Sequence, residues 1–140
     1  MVDLVSVEQR LRRIFDPYRD RLVTSKEGPN GLYLEFPGYA GLPWGYVGGT
    51  RLGKRYVSFY LLGIYGDPSL LAGMSQGLRR RMQGKSCFNF TSIDEPAFAE
   101  LAALTEKSIA LQPTLIDAAL ANQRRRGAAR MSTTPSANDV

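Results

Sequence analysis

The stretch Leu52–Tyr65, LGKRYVSFYLLGIY, decides the predicted fold of this chain. It is the longest run of aromatic and β-branched residues in the sequence, and such residues favour β-strands. Neither face of the run is strongly polar, which predicts an interior strand covered at least partly on both sides. Alternation places Val57, Phe59 and Leu61 on one face and Tyr56, Ser58, Tyr60 and Leu62 on the other.

Three further strands are predicted around this run. Residues 31–36, GLYLEF, alternate as a half-buried strand does. Residues 44–47 form a short strand, in which neighbouring glycines indicate a twist or bulge, and residues 51–54 make the turn into the interior strand. Residues 85–91, KSCFNFT, form the last of the three predicted strands. The inward residues are Leu32, Leu34, Phe36, Phe88 and Phe90, and the outward ones are Tyr33, Glu35, Cys87, Asn89 and Thr91.

Helices are predicted before and between these strands. Ser6 begins the first through a capping box with Gln9. Asp67-Pro68 begins the second, which carries Met82 near its end. Asp94-Glu95-Pro96 begins the third, and Pro113 is predicted to end it.

The order α, β, β, β, α, β, α with short connections predicts an α+β fold. It consists of an antiparallel sheet of about four strands with helices packed on one face. The length of 140 residues suits one domain. We assign residues 1–123 to this domain and residues 124–140 to a basic, disordered tail, because the chain loses apolar periodicity from Gly127 onward.

Charge and cysteine content limit the classes of function. The net charge is +5, but residues 1–123 hold 14 basic and 12 acidic residues, so most of the excess lies in the tail. Nucleic-acid binding is therefore expected only through the Arg-rich tail. A single cysteine, no apolar run of the roughly 20 residues of a membrane helix and no signal-peptide pattern predict a cytoplasmic protein without membrane association.

Motifs for catalysis and metal binding are missing from the sequence. The absence of histidine excludes Ser-His-Asp and Cys-His catalysis, and one cysteine cannot build a structural zinc site. Helix capping explains the single acidic pair, Asp94-Glu95, and no glycine-rich segment matches a phosphate-binding loop. We therefore expect a non-enzymatic protein with no catalytic residues, metal ligands or cofactors.

The outward face of the sheet is the candidate ligand-binding surface. If it is concave, its tyrosines and polar groups would form an amphipathic pocket for a small molecule or a protein partner. The alternative is an ordinary sheet face covered by a loop or a second subunit, which leaves a homodimer open. The predicted ligand-binding residues are Tyr33, Glu35, Tyr56, Ser58, Tyr60, Cys87 and Asn89.

Cys87 has two interpretations. Lys85 lies two residues away on the same side of the strand, and a nearby positive charge lowers the pKa of a thiol enough to make it reactive. The other interpretation is a small, buried, unreactive side chain.

Residues 51–109 resemble a known family. The segments GKRYVSFYLLGIY, DPSLLAGMSQGLRRRMQGKSCFNF and DEPAFAELAALTEKSI are similar to the YdhG-like domain-of-unknown-function family, and GKSCFNF is the most specific element. The resemblance implies a compact α+β fold with an antiparallel sheet. It also implies an alternative function, because some relatives have been proposed as frataxin-like intracellular iron chaperones, although it assigns no iron ligands here.

Overall fold

A computed structural model describes residues 3–39 and 45–133 of the chain. The elements in this part follow one another as α1 (Leu4–Arg12), a 3₁₀ helix (Arg13–Arg21), β1 (Val23–Gly28), β2 (Gly31–Glu35), β3 (Tyr46–Leu52), β4 (Val57–Leu61), α2 (Leu62–Gly66), a second 3₁₀ helix (Pro68–Leu71), α3 (Gln76–Arg79), β5 (Met82–Gln83), β6 (Cys87–Phe90) and α4 (Glu95–Thr133).

The strands form one six-stranded sheet in the order β1-β2-β3-β4-β6-β5, and every neighbouring pair is antiparallel. The predicted α+β class with an antiparallel sheet is therefore confirmed, but the predicted number of strands was too low. The two missed strands lie at the edges of the sheet. β1, VTSKEG, is exposed along most of its length and shows no apolar alternation, and β5 has only two residues.

The interior position of the 52–65 stretch is confirmed, but its predicted bounds are wrong. β4 pairs with β3 on one side and β6 on the other, and it ends at Leu61. Residues 62–66 form α2 instead. β3 is longer than predicted and extends to Leu52. The turn between β3 and β4 therefore lies closer to Val57 than predicted. Trp44, the predicted first residue of this strand, lies outside the described residues.

Two helix starts differ from the sequence prediction because another polar side chain makes the cap. Asp3, not Ser6, caps α1: its carboxylate accepts from the backbone N–H of Val5 at 3.0 Å and from the Ser6 hydroxyl at 2.9 Å. Asp67 does cap a helix at Pro68, as predicted, but this is a short 3₁₀ helix. Ser75 then caps the separate helix α3, so the single helix predicted up to Met82 was wrong.

Helix α4 continues past Pro113, where the sequence predicts its end, and past residue 124, where the sequence predicts the start of a disordered tail. Pro113 lacks a backbone donor and interrupts one helical hydrogen bond, yet the helix passes it. Ile109 and Ile116 on either side are buried, so tertiary packing outweighs the local cost. The helix also includes residues 124–133, which we had assigned to a disordered tail and which are rich in the helix formers Ala and Arg. Residues 134–140 lie outside the described part.

The core lies between the sheet and the helices, on the face predicted from alternation. Val57, Phe59 and Leu61 are fully buried. Phe59 stacks on Phe15 of the first 3₁₀ helix with ring centroids 4.9 Å apart, and α1 contacts the central strands. Gln112 of helix α4 donates a hydrogen bond from Nε2 to the Tyr46 backbone carbonyl oxygen at 2.6 Å. The predicted orientation of β4 is therefore confirmed.

A buried charge joins α1 to the sheet. Glu8 is 1% exposed, and its Oε2 accepts from Arg12 Nε at 2.7 Å and from Thr50 Oγ1 at 2.6 Å. The Arg12 guanidinium also donates to the Gly28 carbonyl at 2.8 Å. This network fixes α1 over β3 and over the β1–β2 turn, and so positions the strands whose opposite face carries the candidate site.

Candidate functional site on the open sheet face

We call the side of the sheet opposite the core the open face. Strand register sets its side chains in rows. Tyr33 is opposite Gly49, Gly49 is opposite Tyr60, and Tyr60 is opposite Cys87. In the next row, Arg51 is opposite Ser58, and Ser58 is opposite Asn89. The described helices contribute no side chain to the two larger cavities on this face.

The first cavity, called the tyrosine cavity here, has a volume of about 590 Å³. The Tyr33 and Tyr46 rings are in contact, with centroids 4.3 Å apart and planes tilted by 33°, and Tyr33 is 40% exposed. Gly49, opposite Tyr33 and Tyr60, allows β2 and β3 to approach closely, because a Cβ there would collide with the Leu32 carbonyl oxygen. The lining residues are Lys26, Glu27, Gly28, Pro29, Asn30, Gly31, Leu32, Tyr33, Tyr46, Thr50, Arg51 and Tyr60.

The second cavity, called the basic cavity here, has a volume of about 470 Å³. It shares Arg51 and Tyr60 with the tyrosine cavity, so the two cavities adjoin. No acidic side chain of residues 3–39 and 45–133 lines it. Its lining residues are Arg51, Gly53, Lys54, Arg55, Tyr56, Ser58, Tyr60, Gln83, Cys87 and Asn89.

A side-chain network forms the polar floor of the basic cavity. The side-chain Oδ1 of Asn89 accepts hydrogen bonds from the Ser58 hydroxyl at 2.7 Å and from the Cys87 thiol at 3.4 Å. The Asn89 amide donates to Gln83 Oε1 at 2.5 Å. Ser58 is only 6% exposed, so it orients Asn89 more than it presents itself to a ligand.

The Cys87 thiol lies in this floor, and the Lys85 ammonium group contacts the Tyr65 ring. Burial raises the pKa of the Cys87 thiol, against the opposing effect of hydrogen bonds from Ser58 and Tyr60. Lys85 Nζ lies 5.6 Å from the centre of the Tyr65 ring. This geometry favours a protonated, unreactive thiol at neutral pH, which is the second of the two interpretations of Cys87.

Six of the seven predicted site residues line the two cavities. Glu35 does not line either one: it is 6% exposed and accepts a hydrogen bond from the Ser25 hydroxyl of the edge strand β1. The six that do are Tyr33, Tyr56, Ser58, Tyr60, Cys87 and Asn89.

Sequence reasoning missed Tyr46, Arg51 and Gln83. Tyr46 was assigned to a short strand without an orientation, and Arg51 was assigned to a turn. Alternation from Tyr33 across the β2–β3 pair would have placed Arg51 on the open face, had β3 been extended to Leu52. The position of Gln83 depends on β5, which pairs with β6 over only two residues.

Tyr46 is the most strongly perturbed phenol of this surface. Burial raises the pKa of Tyr46 far above its ordinary value, and the nearby Tyr33, Tyr60 and Cys87 raise it further. The Tyr46 hydroxyl is thus held in its neutral form beside Tyr33, Tyr60 and Cys87.

We predict that Tyr46 makes the protein less stable in strong alkali. A raised pKa in the folded state stabilises the fold fully below the ordinary value of about 10, and this contribution is lost as the pH rises above it. The free energy of unfolding should therefore fall more steeply above about pH 10 in the wild type than in Tyr46→Phe. Denaturant titrations across this range measure the difference. Tyr56→Phe, which removes an exposed hydroxyl, is the control, and equal slopes for all three proteins would contradict the prediction.

Charges are distributed differently on the two sides of the sheet. On the helical side, Arg10 pairs with Glu95 at 2.6 Å, and Arg12 and Arg19 pair with Glu27 at 3.5 and 2.7 Å. Among the described residues, no carboxylate pairs with the cations around the basic cavity, which are Arg51, Lys54 and Arg55. The cavity is therefore electropositive although the domain as a whole is nearly neutral.

Two further features bear on the expected function. The described residues contain no group of three or more acidic, cysteine or histidine side chains arranged to hold a metal ion. In residues 3–39 and 45–133, no helix is both long and apolar enough to cross a membrane.

Comparison with known proteins identifies no relative. No family model matches the sequence, and neither curated proteins nor solved structures give a match. The resemblance to the YdhG-like family therefore stays a prediction, and the function has to be argued from the open face itself.

Proposed function

We propose that this chain is a non-enzymatic cytoplasmic domain that binds a small organic anion carrying an aromatic ring. The observation behind the proposal is that the two cavities adjoin at Arg51 and Tyr60. One end offers tyrosine rings, and the other offers cations that have no acidic partner among the described residues. Ligand sites commonly combine apolar walls with a few convergent polar groups in this way.

The aromatic end suits a flat ring. Tyr33, Tyr46 and Tyr60 line this cavity from β2, β3 and β4. Aromatic pairs stabilise a contact by about 0.5–1.5 kcal/mol beyond the area they bury. The ligand ring would thus lie across β3, between the tyrosines of β2 and β4.

The basic end suits a phosphate or carboxylate. Arg51 lies at the junction of the cavities, where its guanidinium can reach an anion joined to the ring. Planar guanidinium groups bind such anions through two parallel hydrogen bonds. Asn89 and Gln83 add amide groups on the same side of the junction.

Arg51→Ala should weaken ligand binding about 10- to 100-fold, because a hydrogen bond to a charged group contributes about 1.5–3 kcal/mol. Suitable probes are a nucleoside monophosphate and an aromatic carboxylate, with the neutral nucleoside and inorganic phosphate as the separate halves. Thermal shift and calorimetry should show binding of the joined probes and much weaker binding of each half.

The matched control is Arg13→Ala, which removes an exposed arginine from the helical side. Its affinity should equal that of the wild type. The proposal is wrong if no ring-carrying anion binds, or if Arg13→Ala and Arg51→Ala weaken binding equally.

A further inference from the structure

A third cavity continues the open face toward the β5 edge of the sheet. We call it the edge cavity; its volume is about 370 Å³. It shares Tyr56, Gln83 and Asn89 with the basic cavity. Its lining residues are Tyr56, Arg80, Arg81, Met82, Gln83, Asn89 and Thr91. The three cavities therefore form one path that crosses the sheet from β2 to β5.

Cations and tyrosines both line this path. Tyr33 lines the tyrosine cavity, Tyr60 lines the tyrosine and basic cavities, and Tyr56 lines the basic and edge cavities. Tyr33 and Tyr56 are 40% and 41% exposed. The cations Arg51 and Arg80 have no acidic partner within the described ranges. The acidic lining residue Glu27 is already paired with Arg12 and Arg19.

The path is longer than a single small ligand needs. Four strand spacings separate β2 from β5, which is about 19 Å at about 4.8 Å per spacing. Sites for single-stranded nucleic acid begin at about four nucleotides per module. Such sites combine a basic groove that follows the phosphates with aromatic rings on which successive bases stack.

We infer that the open face binds single-stranded nucleic acid, with bases on Tyr33, Tyr60 and Tyr56 and phosphates on Arg51 and Arg80. This inference rests on the proposed ring-and-anion site and extends it from one nucleotide to a short strand. An acidic peptide would satisfy the arginines but has no flat bases for the tyrosines. A duplex keeps its bases stacked inside and cannot offer them to the sheet.

The test uses the full chain and labelled single-stranded oligonucleotides of one, two, four and eight nucleotides, a range that spans the smallest known sites of about four. We expect affinity to rise with length to about four nucleotides and then to level off. Raising salt from about 50 to 200 mM should weaken binding about 50-fold if four phosphates are neutralised. A duplex and an oligoglutamate should bind much more weakly.

Four variants separate this inference from the proposed function. Arg80→Ala should weaken oligonucleotide binding about 10-fold and leave the mononucleotide unaffected, whereas Arg51→Ala should weaken both. Tyr60→Phe should retain binding because it keeps the ring, and Tyr60→Ala should lose it. The controls are Lys107→Ala and Tyr65→Ala, exposed residues that line none of the three cavities.

Each contrary outcome has a definite meaning. A mononucleotide that binds as tightly as the longer strands overturns the inference and leaves the proposed function standing. Failure of both kinds of probe overturns both. Equal binding of oligoglutamate overturns the role of base stacking. Loss of strand binding when Arg124, Arg125, Arg126 and Arg130 are all replaced by alanine would assign binding to the C-terminal segment and overturn the open-face site.

Discussion

Replacing Phe59 by alanine should destabilise the protein by about 3–5 kcal/mol, the range for large aromatic residues removed from a core. The ring is fully buried and stacks on Phe15 at 4.9 Å. Because small domains are stable by only about 5–15 kcal/mol, this one change would remove a large part of the total. Chemical denaturation of the purified variant measures it. Phe59→Leu keeps part of the volume and should remain folded if the alanine variant does not.

The neighbouring substitution Tyr60→Ala is the matched control for the two faces of β4. Tyr60 lines the open-face cavities and has only partial burial. Tyr60→Ala should lower the free energy of unfolding clearly less than Phe59→Ala does, and it should weaken ligand binding instead. If Tyr60→Ala destabilised the protein as much as Phe59→Ala, the assignment of the two faces would be wrong.

Glu8→Ala should cost about 3 kcal/mol, near the lower end of the range for breaking a buried ion pair. The substitution leaves Arg12 Nε and the Thr50 hydroxyl without their acceptor in a place that is 1% exposed. The cost is moderated because Arg12 also contacts Glu27 and the Gly28 carbonyl. Thermal or denaturant unfolding measures the loss.

Two other variants test the cause of this destabilisation. Glu8→Gln keeps an oxygen acceptor for Thr50 and should cost less than Glu8→Ala. Glu95→Ala breaks an exposed pair with Arg10 and should change stability little, since such pairs are screened by water. A Glu8→Ala protein as stable as Glu95→Ala would show that the buried network contributes nothing to the fold.

The fold was predictable where burial follows a simple alternation. Val57, Phe59 and Leu61 alternate with polar or amphipathic residues, and the β6 pair Phe88 and Phe90 does the same. The edge strands carry no such pattern, because an uncovered strand does not need an apolar face. The helix end predicted at Pro113 was wrong because a local preference was outweighed. Proline favours a break, but the buried residues around it stabilise the continuous helix.

The candidate site was predictable in its tyrosines and amides but not in its charge. Alternation alone placed Tyr33, Tyr60 and Asn89 on one face. Net charge concealed the basic cavity, because it averages over both sides of the sheet. The acids Glu8, Glu27 and Glu95 pair with arginines of the helical side. Only the three-dimensional arrangement reveals that Arg51 has no such partner in the part of the chain that the structure describes.

The most direct measurement of the central claim is a two-dimensional amide NMR titration of the protein with a nucleoside monophosphate. We predict that the largest shifts fall on Arg51 and Tyr60, at the junction of the tyrosine and basic cavities, and on Gly49, the residue of β3 that pairs with Tyr60. The α1 and α4 amides should move little. Shifts concentrated in α1, in α4 or in residues 124–133, with Gly49 and Tyr60 unchanged, would contradict a ligand site on the open face.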